Sequence, residues 1–124
     1  MSGLALKLAP KERVLINGVV VENGPRRAQL LIKTDNASVL RLRDALDEAD
    51  VVGPASEAYF TAQRCVAGEI SAEEADQLLT PALSELSKLD VDAVEKAKRS
   101  LTDGNLYRVM RALKPMLETE RETV

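Results

Sequence analysis

Hydrophobic and polar positions alternate along the first third of the chain and recur at helical spacing along the rest. In residues 3–8, Leu4, Leu6 and Leu8 fall on one side, Ala5 and Lys7 on the other. That period of two predicts a half-buried strand. Pro10, Lys11 and Glu12 make a turn. Residues 13–16 and 19–22 are the apolar arms of a hairpin closed by Asn17-Gly18, because a type I′ turn needs φ > 0 at both central residues. Asn23-Gly24-Pro25 marks a second reversal, which predicts a compact meander. Residues 26–33 put Ala28, Leu30 and Ile32 on one face and Arg27, Gln29, Leu31 and Lys33 on the other. A turn at Asp35-Asn36 and a short strand over 38–42 complete an antiparallel sheet of four to five strands, one face buried and one wet.

Beyond residue 43 the period changes. Residues 44–50 have room for one helical turn, ended by Gly53-Pro54. Pro54 suits the first position of a new helix, where its missing N–H would have no partner anyway. Ala55, Tyr59, Ala62 and Val66 share a face of that helix, which stops at Gly68. Ser71 and Glu74 fit a capping box. The stripe that follows is Ala75, Leu78, Leu79, Ala82, Leu83, Leu86 and Leu89, with Pro81 expected to kink the helix or split it after Thr80. Asp90 or Asp92 caps a third helix with Val91, Val94, Ala97 and Leu101 inward, broken by Asp103-Gly104. The fourth helix turns Leu106, Val109, Met110, Leu113 and Leu117 to one side; Pro115 should kink or end it, and the polar tail after Glu118 should fray.

The expected fold is therefore α+β: a small N-terminal antiparallel β-sheet followed by about four C-terminal helices. No linker separates residues 1–43 from 44–124, so the two regions are expected to pack as a single unit. The helical stripes leave two readings open. Part of the apolar surface meets a partner or second copy, or the helices form a self-contained bundle.

Charge divides the chain at the same place. Residues 1–43 carry eight Lys/Arg against three acids, a net of +5; residues 44–124 carry nine against 17, a net of −8. Such asymmetry points to an anionic partner for the basic half, or to a solvated basic surface that helps the halves dock. At 45% hydrophobic and 30% charged, the chain has the composition of a folded protein. Its only aromatics are Tyr59, Phe60 and Tyr107. No signal peptide or apolar run long enough to cross a bilayer is present, which suggests a soluble cytoplasmic protein with no membrane partner.

The residues that catalysis needs are scarce. There is no histidine, the usual general base near neutral pH. The single cysteine, Cys65, has no imidazole to activate it and reads as a small apolar core residue. Zinc spacing, a P-loop and a dinucleotide fingerprint are all missing. Asp44, Asp47, Glu48 and Asp50 crowd together without the spacing of a calcium loop. Neither a cofactor nor an enzymatic activity is expected. Cations on the strands and turns remain: Lys11, Arg13, Arg26, Arg27, Lys33, Arg41 and Arg43 are candidates for contact with RNA phosphates. Two helical clusters, Lys96, Lys98 and Arg99, and Arg108, Arg111 and Lys114, sit among acids and read as solvated faces.

The run LAPKERVLINGVVVENGPRR (residues 8–27), with LLIK (30–33) and ASVLR (37–41), resembles the FlbT family of flagellin synthesis repressors. So do GPA (53–55), AYF (58–60), GNLY (104–107) and LKP (113–115). The resemblance covers nearly the whole chain. It implies a small cytoplasmic regulator of flagellum biogenesis that associates with the 5′ untranslated region of flagellin mRNA. There it lowers translation and hastens mRNA decay, although some members act positively. It further implies work alongside FlaF and a response to flagellin supply. Ser56-Glu57 stand where further basic residues would be expected, which leaves the sheet arginines as the better candidates for RNA. The hairpin-rich basic layout is loosely similar to the CsrA family of mRNA-binding regulators, whose strand-exchanged dimers favour a homodimer. A second function class stays open: a helical adaptor that binds flagellin or FlaF and touches no RNA.

Overall fold

A computed structural model describes residues 3–35 and 37–123. The chain forms two compact units, residues 1–45 and residues 46–124. The first holds five strands: β1 (Leu4–Leu8), β2 (Arg13–Ile16), β3 (Val19–Glu22), β4 (Ala28–Ile32) and β5 (Val39–Arg41). The second holds four helices: α1 (Pro54–Val66), α2 (Ala72–Leu86), α3 (Val91–Thr102) and α4 (Leu106–Thr123). This is the expected α+β class. Short 3-10 turns at Leu42–Asp44 and Glu48–Asp50 occupy the transition.

The strands make two sheets rather than a meander. β4 pairs antiparallel with β1, from Leu4 opposite Ile32 to Leu8 opposite Ala28. β2 is the centre of the other sheet, between β3 and β5. The Asn23-Gly24-Pro25 reversal thus carries the chain from one sheet to the other. Burial explains the choice. Leu6, Leu8, Leu30 and Ile32 from one sheet pack with Val14, Ile16, Val21 and Val39 from the other. Two small layers cover each other's apolar faces, which a single sheet could not do for itself.

The Asn17-Gly18 hairpin forms as its sequence dictates, with φ of 49° and 83° at its central residues. Asn17 also fixes the start of β5: its Oδ1 accepts a hydrogen bond from the Ser38 N–H at 2.9 Å. The Asp35-Asn36 turn involves Asn36, which lies outside the described residues.

In the helical unit, α4 packs on α1 and α3, and α2 packs on the same two helices. Leu79, Leu83 and Leu86 of α2 are fully buried, as are Val94 of α3 and Val109, Met110 and Leu113 of α4. Leu78, Leu89 and Val91 are the exposed apolar residues among those expected inside. Neither proline ends its helix. Pro81 and Pro115 sit on exposed positions within continuous α2 and α4. The carbonyls their rings leave unpaired, on Gln77 and Arg111, belong to exposed residues too, so water can serve them. The tail after Glu118 does not fray at once, because Glu120 is tied down. Its carboxylate accepts hydrogen bonds from the Ala55 N–H (2.7 Å), the Ser56 N–H (3.0 Å) and the Ser56 hydroxyl (2.6 Å). The two N–H groups are orphan donors at the positive end of α1.

Candidate nucleic-acid interface

The site is built on two crossovers that run side by side. One is residues 9–12, between β1 and β2; the other is residues 23–27, between β3 and β4. The Lys11 N–H donates to the Gly24 carbonyl at 3.0 Å, and the Asn23 N–H donates to the Glu12 carbonyl at 2.8 Å. The Asn23 side-chain amide then donates to the carbonyls of Ala9 (2.8 Å) and Arg26 (2.9 Å). One asparagine thereby pins both crossovers. Lys11 takes φ of 62°, a conformation that non-glycine residues seldom adopt.

Glu12 is the electrostatic centre of this region. Its side chain is 6% exposed and lies 2.7 Å from Arg41 Nη1, with Arg43 Nε at 3.7 Å. The Ala9 N–H donates to its other oxygen at 2.9 Å. That backbone hydrogen bond, helped by Arg41 and Arg43, holds the carboxyl below its ordinary value despite the opposing effect of burial. Arg41 also donates to the Lys7 carbonyl at 3.0 Å. An ion pair this well covered fixes β5 against the end of β1.

The seven cations expected from the sequence separate into groups. Arg27 and Arg43 line one open groove of about 530 Å³, together with Lys7, Glu12 and Gln29. Arg26 precedes Arg27 on the exposed crossover; neither holds an ion pair among the described residues. Arg41 is spent on Glu12. Arg13 is drawn to Glu22, 2.9 Å away across the β2–β3 hairpin. That bond pulls the Glu22 carboxyl below its ordinary value. Both partners are largely exposed, so the pair contributes little to stability. Lys11 is exposed on its turn. Lys33 lies six residues beyond Arg27 along β4, about 20 Å away at strand rise, and does not join the groove.

Lys7 is the groove residue that sequence reasoning missed. Period two placed it on the wet face of β1, but its proximity to Arg27 follows only from register. Lys7 pairs with Gln29, and Leu8 with Ala28.

Three cations, Lys7, Arg27 and Arg43, and one carboxylate, Glu12, line the groove. Among the described residues no group of three or more His, Cys, Asp or Glu side chains is placed to hold a metal ion. Cys65 is half-buried on α1, and burial raises its thiol pKa, the opposite of what a nucleophile needs. No helix among the described residues is long and apolar enough to cross a membrane.

Comparison with known proteins gives the lineage. A Caulobacter vibrioides protein named flagellum biosynthesis repressor protein FlbT is 39% identical over 71 residues, which cover 57% of this chain and 50% of that protein. Against this relative the chain therefore matches only about half the length. A Rhodopseudomonas palustris protein named probable flagellum biosynthesis repressor protein FlbT is 29% identical over 121 residues, covering 96% of this chain and 95% of its own. No solved structure matches the chain. The family model for flagellar protein FlbT matches residues 4–124, so the chain belongs to the FlbT family.

Proposed function

We propose that this chain is a non-enzymatic cytoplasmic repressor of flagellum biosynthesis. It acts after transcription, holding the 5′ untranslated region of flagellin mRNA against its strand unit and so lowering translation and promoting decay. The repressor role is the one printed in the names of its Caulobacter and Rhodopseudomonas relatives. The observation that carries the RNA contact is the convergence of Lys7, Arg27 and Arg43 on one open groove, which Glu12 also lines, beside Arg26, which holds no ion pair among the described residues. Lys7, Arg26 and Arg27 meet phosphates in this reading, with Lys11 on the neighbouring turn and Arg43, whose contact with Glu12 is a long one of 3.7 Å, turning to a bound phosphate. Arg41 and Arg13, already engaged by Glu12 and Glu22, shape the surface.

The test is binding of a flagellin leader transcript across salt concentrations. Affinity falls steeply as salt rises, because bound cations displace condensed counterions. Replacing both Arg26 and Arg27 by Ala weakens binding and flattens the log–log salt slope by about 1.4, two single-strand phosphate contacts. Binding that ignores both salt and these substitutions would defeat the reading.

One observation favours a second reading, an adaptor for flagellin or FlaF. Leu89 and Val91 are 73% and 62% exposed, two residues apart at the junction of α2 and α3. Pull-down of purified flagellin or FlaF in nuclease-treated buffer, lost in a Leu89→Ser, Val91→Ser variant, supports the adaptor. Capture that requires RNA rules it out.

A further inference from the structure

The helical unit carries a net negative charge, yet one part of it is strongly cationic. Lys96, Arg99 and Ser100 share a face of α3 at spacings of three and four, and Arg108, Arg111 and Ala112 do the same on α4. The Asp103-Gly104-Asn105 turn, with Gly104 at φ of 74°, folds the two helices against each other. The faces meet in an open groove of about 630 Å³, lined by Lys96, Arg99, Arg108 and Arg111 with Tyr107 and Asn105 between them. Among the described residues, no acidic side chain lines it. None of its four cations holds an ion pair among the described residues. The sequence pattern had these clusters as solvated faces among acids. Lys96, Arg99, Arg108 and Arg111 are exposed, as that reading expects, and the fold adds that these four of the six line one groove.

Four like charges on exposed residues of one groove repel one another, an effect that salt screens. A groove of this kind is relieved by a ligand that brings several negative charges at once. Tyr107 narrows the class. It is half-buried and lines the groove. A ring lining the same groove as guanidinium groups is suited to stacking an unpaired base while the cations hold the adjoining phosphates. Asn105 is committed to the scaffold, since its Oδ1 accepts the Arg108 N–H at 3.1 Å and caps α4. An acidic peptide would satisfy the charges but leave the ring without a role.

We propose that the α3–α4 groove is a second site for single-stranded RNA, separate from the strand-unit groove. Arg99, Arg108 and Arg111 with Lys96 hold its phosphates, and one base stacks on Tyr107. This rests on the chain being an RNA binder, and it adds a site that the strand cations do not include.

The experiment uses the full chain and a fluorescein-labelled uridine decamer, which has no secondary structure of its own. Tyrosine emission supplies an independent readout, since the chain has no Trp and only two Tyr, of which Tyr59 is buried. Saturating unlabelled decamer is expected to quench the emission, and Tyr107→Phe to abolish the quench while keeping affinity. Tyr107→Ala lowers affinity about tenfold or more. Replacing both Arg108 and Arg111 by Ala flattens the log–log salt slope by about 1.4. A circular dichroism melt shows whether each variant is folded, and the native chain's quench, assigned to Tyr107 by its loss in Tyr107→Phe, carries the stacking test should Tyr107→Ala unfold. Decamer binding that survives the Arg108/Arg111 substitution and leaves tyrosine emission unchanged overturns this site alone. Displacement of the decamer by an equal charge of oligo-glutamate assigns the groove to an acidic peptide and also overturns it. Failure of the native chain to bind either the decamer or the leader overturns both this site and the strand-unit reading.

Discussion

Two polar side chains, Glu12 and Asn23, hold the strand unit's crossovers in place, and each predicts a distinct result. Glu12 is held below its ordinary value of 4.5 by the Ala9 N–H and by Arg41. A carboxyl depressed in the folded state stabilises the fold fully above 4.5 and loses that contribution as pH falls through its folded value. Glu12→Gln therefore costs about 2 kcal/mol at pH 7, the scale of a hydrogen bond to a charged group. Thermal melts of the variant and native chain should converge as the pH is lowered below 4.5. A constant gap across pH would show that the charge is not what matters. Asn23 presents an amide N–H₂ to the carbonyls of Ala9 and Arg26. Asn23→Asp turns those donors into an acceptor facing acceptors and should cost about 2 kcal/mol at pH 7 in urea unfolding. Asn23→Ala removes the bonds without the repulsion, so it should cost less than the isosteric change.

Elements join through contacts that local sequence does not display, and the start of α1 is the clearest case. Gly53 has φ of −168°, an extended conformation open to any residue, so its backbone does not demand glycine. Space demands it: a Cβ at Gly53 would lie 2.7 Å from the Glu120 carboxylate carbon. The carboxylate is the tip of a flexible side chain, but moving it forfeits the hydrogen bonds that cap α1. Gly53→Ala and Glu120→Ala should each cost about 1 kcal/mol, the value of a helix cap. In a double-mutant cycle the two should be strongly non-additive, with Gly53→Ala nearly neutral once Glu120 is gone. Additive losses would mean that the glycine serves another purpose. The same contrast between local and distant information governs the rest of the fold. Asn17-Gly18, the Ser71 and Asp90 caps and the stripes of α1 and α4 were legible because each is set within a few residues. The pairing of β4 with β1 was not legible, since Asn23-Gly24-Pro25 specifies a reversal but not the strand that receives it. The prolines misled for a related reason. Their cost depends on whether the carbonyl one turn back faces water, which is a tertiary fact.

At the scale of the whole molecule, charge was legible in sum and illegible in place. The +5 and −8 regions were countable from the sequence, but the count assigned all the binding to the first. It hid four cations in the second that folding brings into one groove. It also included Arg13 and Arg41, which folding couples to Glu22 and Glu12. Local charge, and not the net −3, then decides what the surface attracts, because screening limits each exposed charge to about 8 Å at physiological salt. If both grooves bind RNA as proposed, a transcript long enough to reach both is a bivalent ligand, and its second contact gains from effective concentration. A flagellin leader should therefore bind at least tenfold tighter than the uridine decamer at the same salt. Ala at Arg26 and Arg27, or at Arg108 and Arg111, should each bring the leader close to decamer affinity. Removing both pairs should then lower affinity by less than the product of the two separate losses, since the first has already cost the avidity. Titration at 50 and 200 mM salt checks the arithmetic. Losses that simply multiply would show two grooves acting on separate RNA molecules, and the tenfold advantage of the leader should then vanish as well.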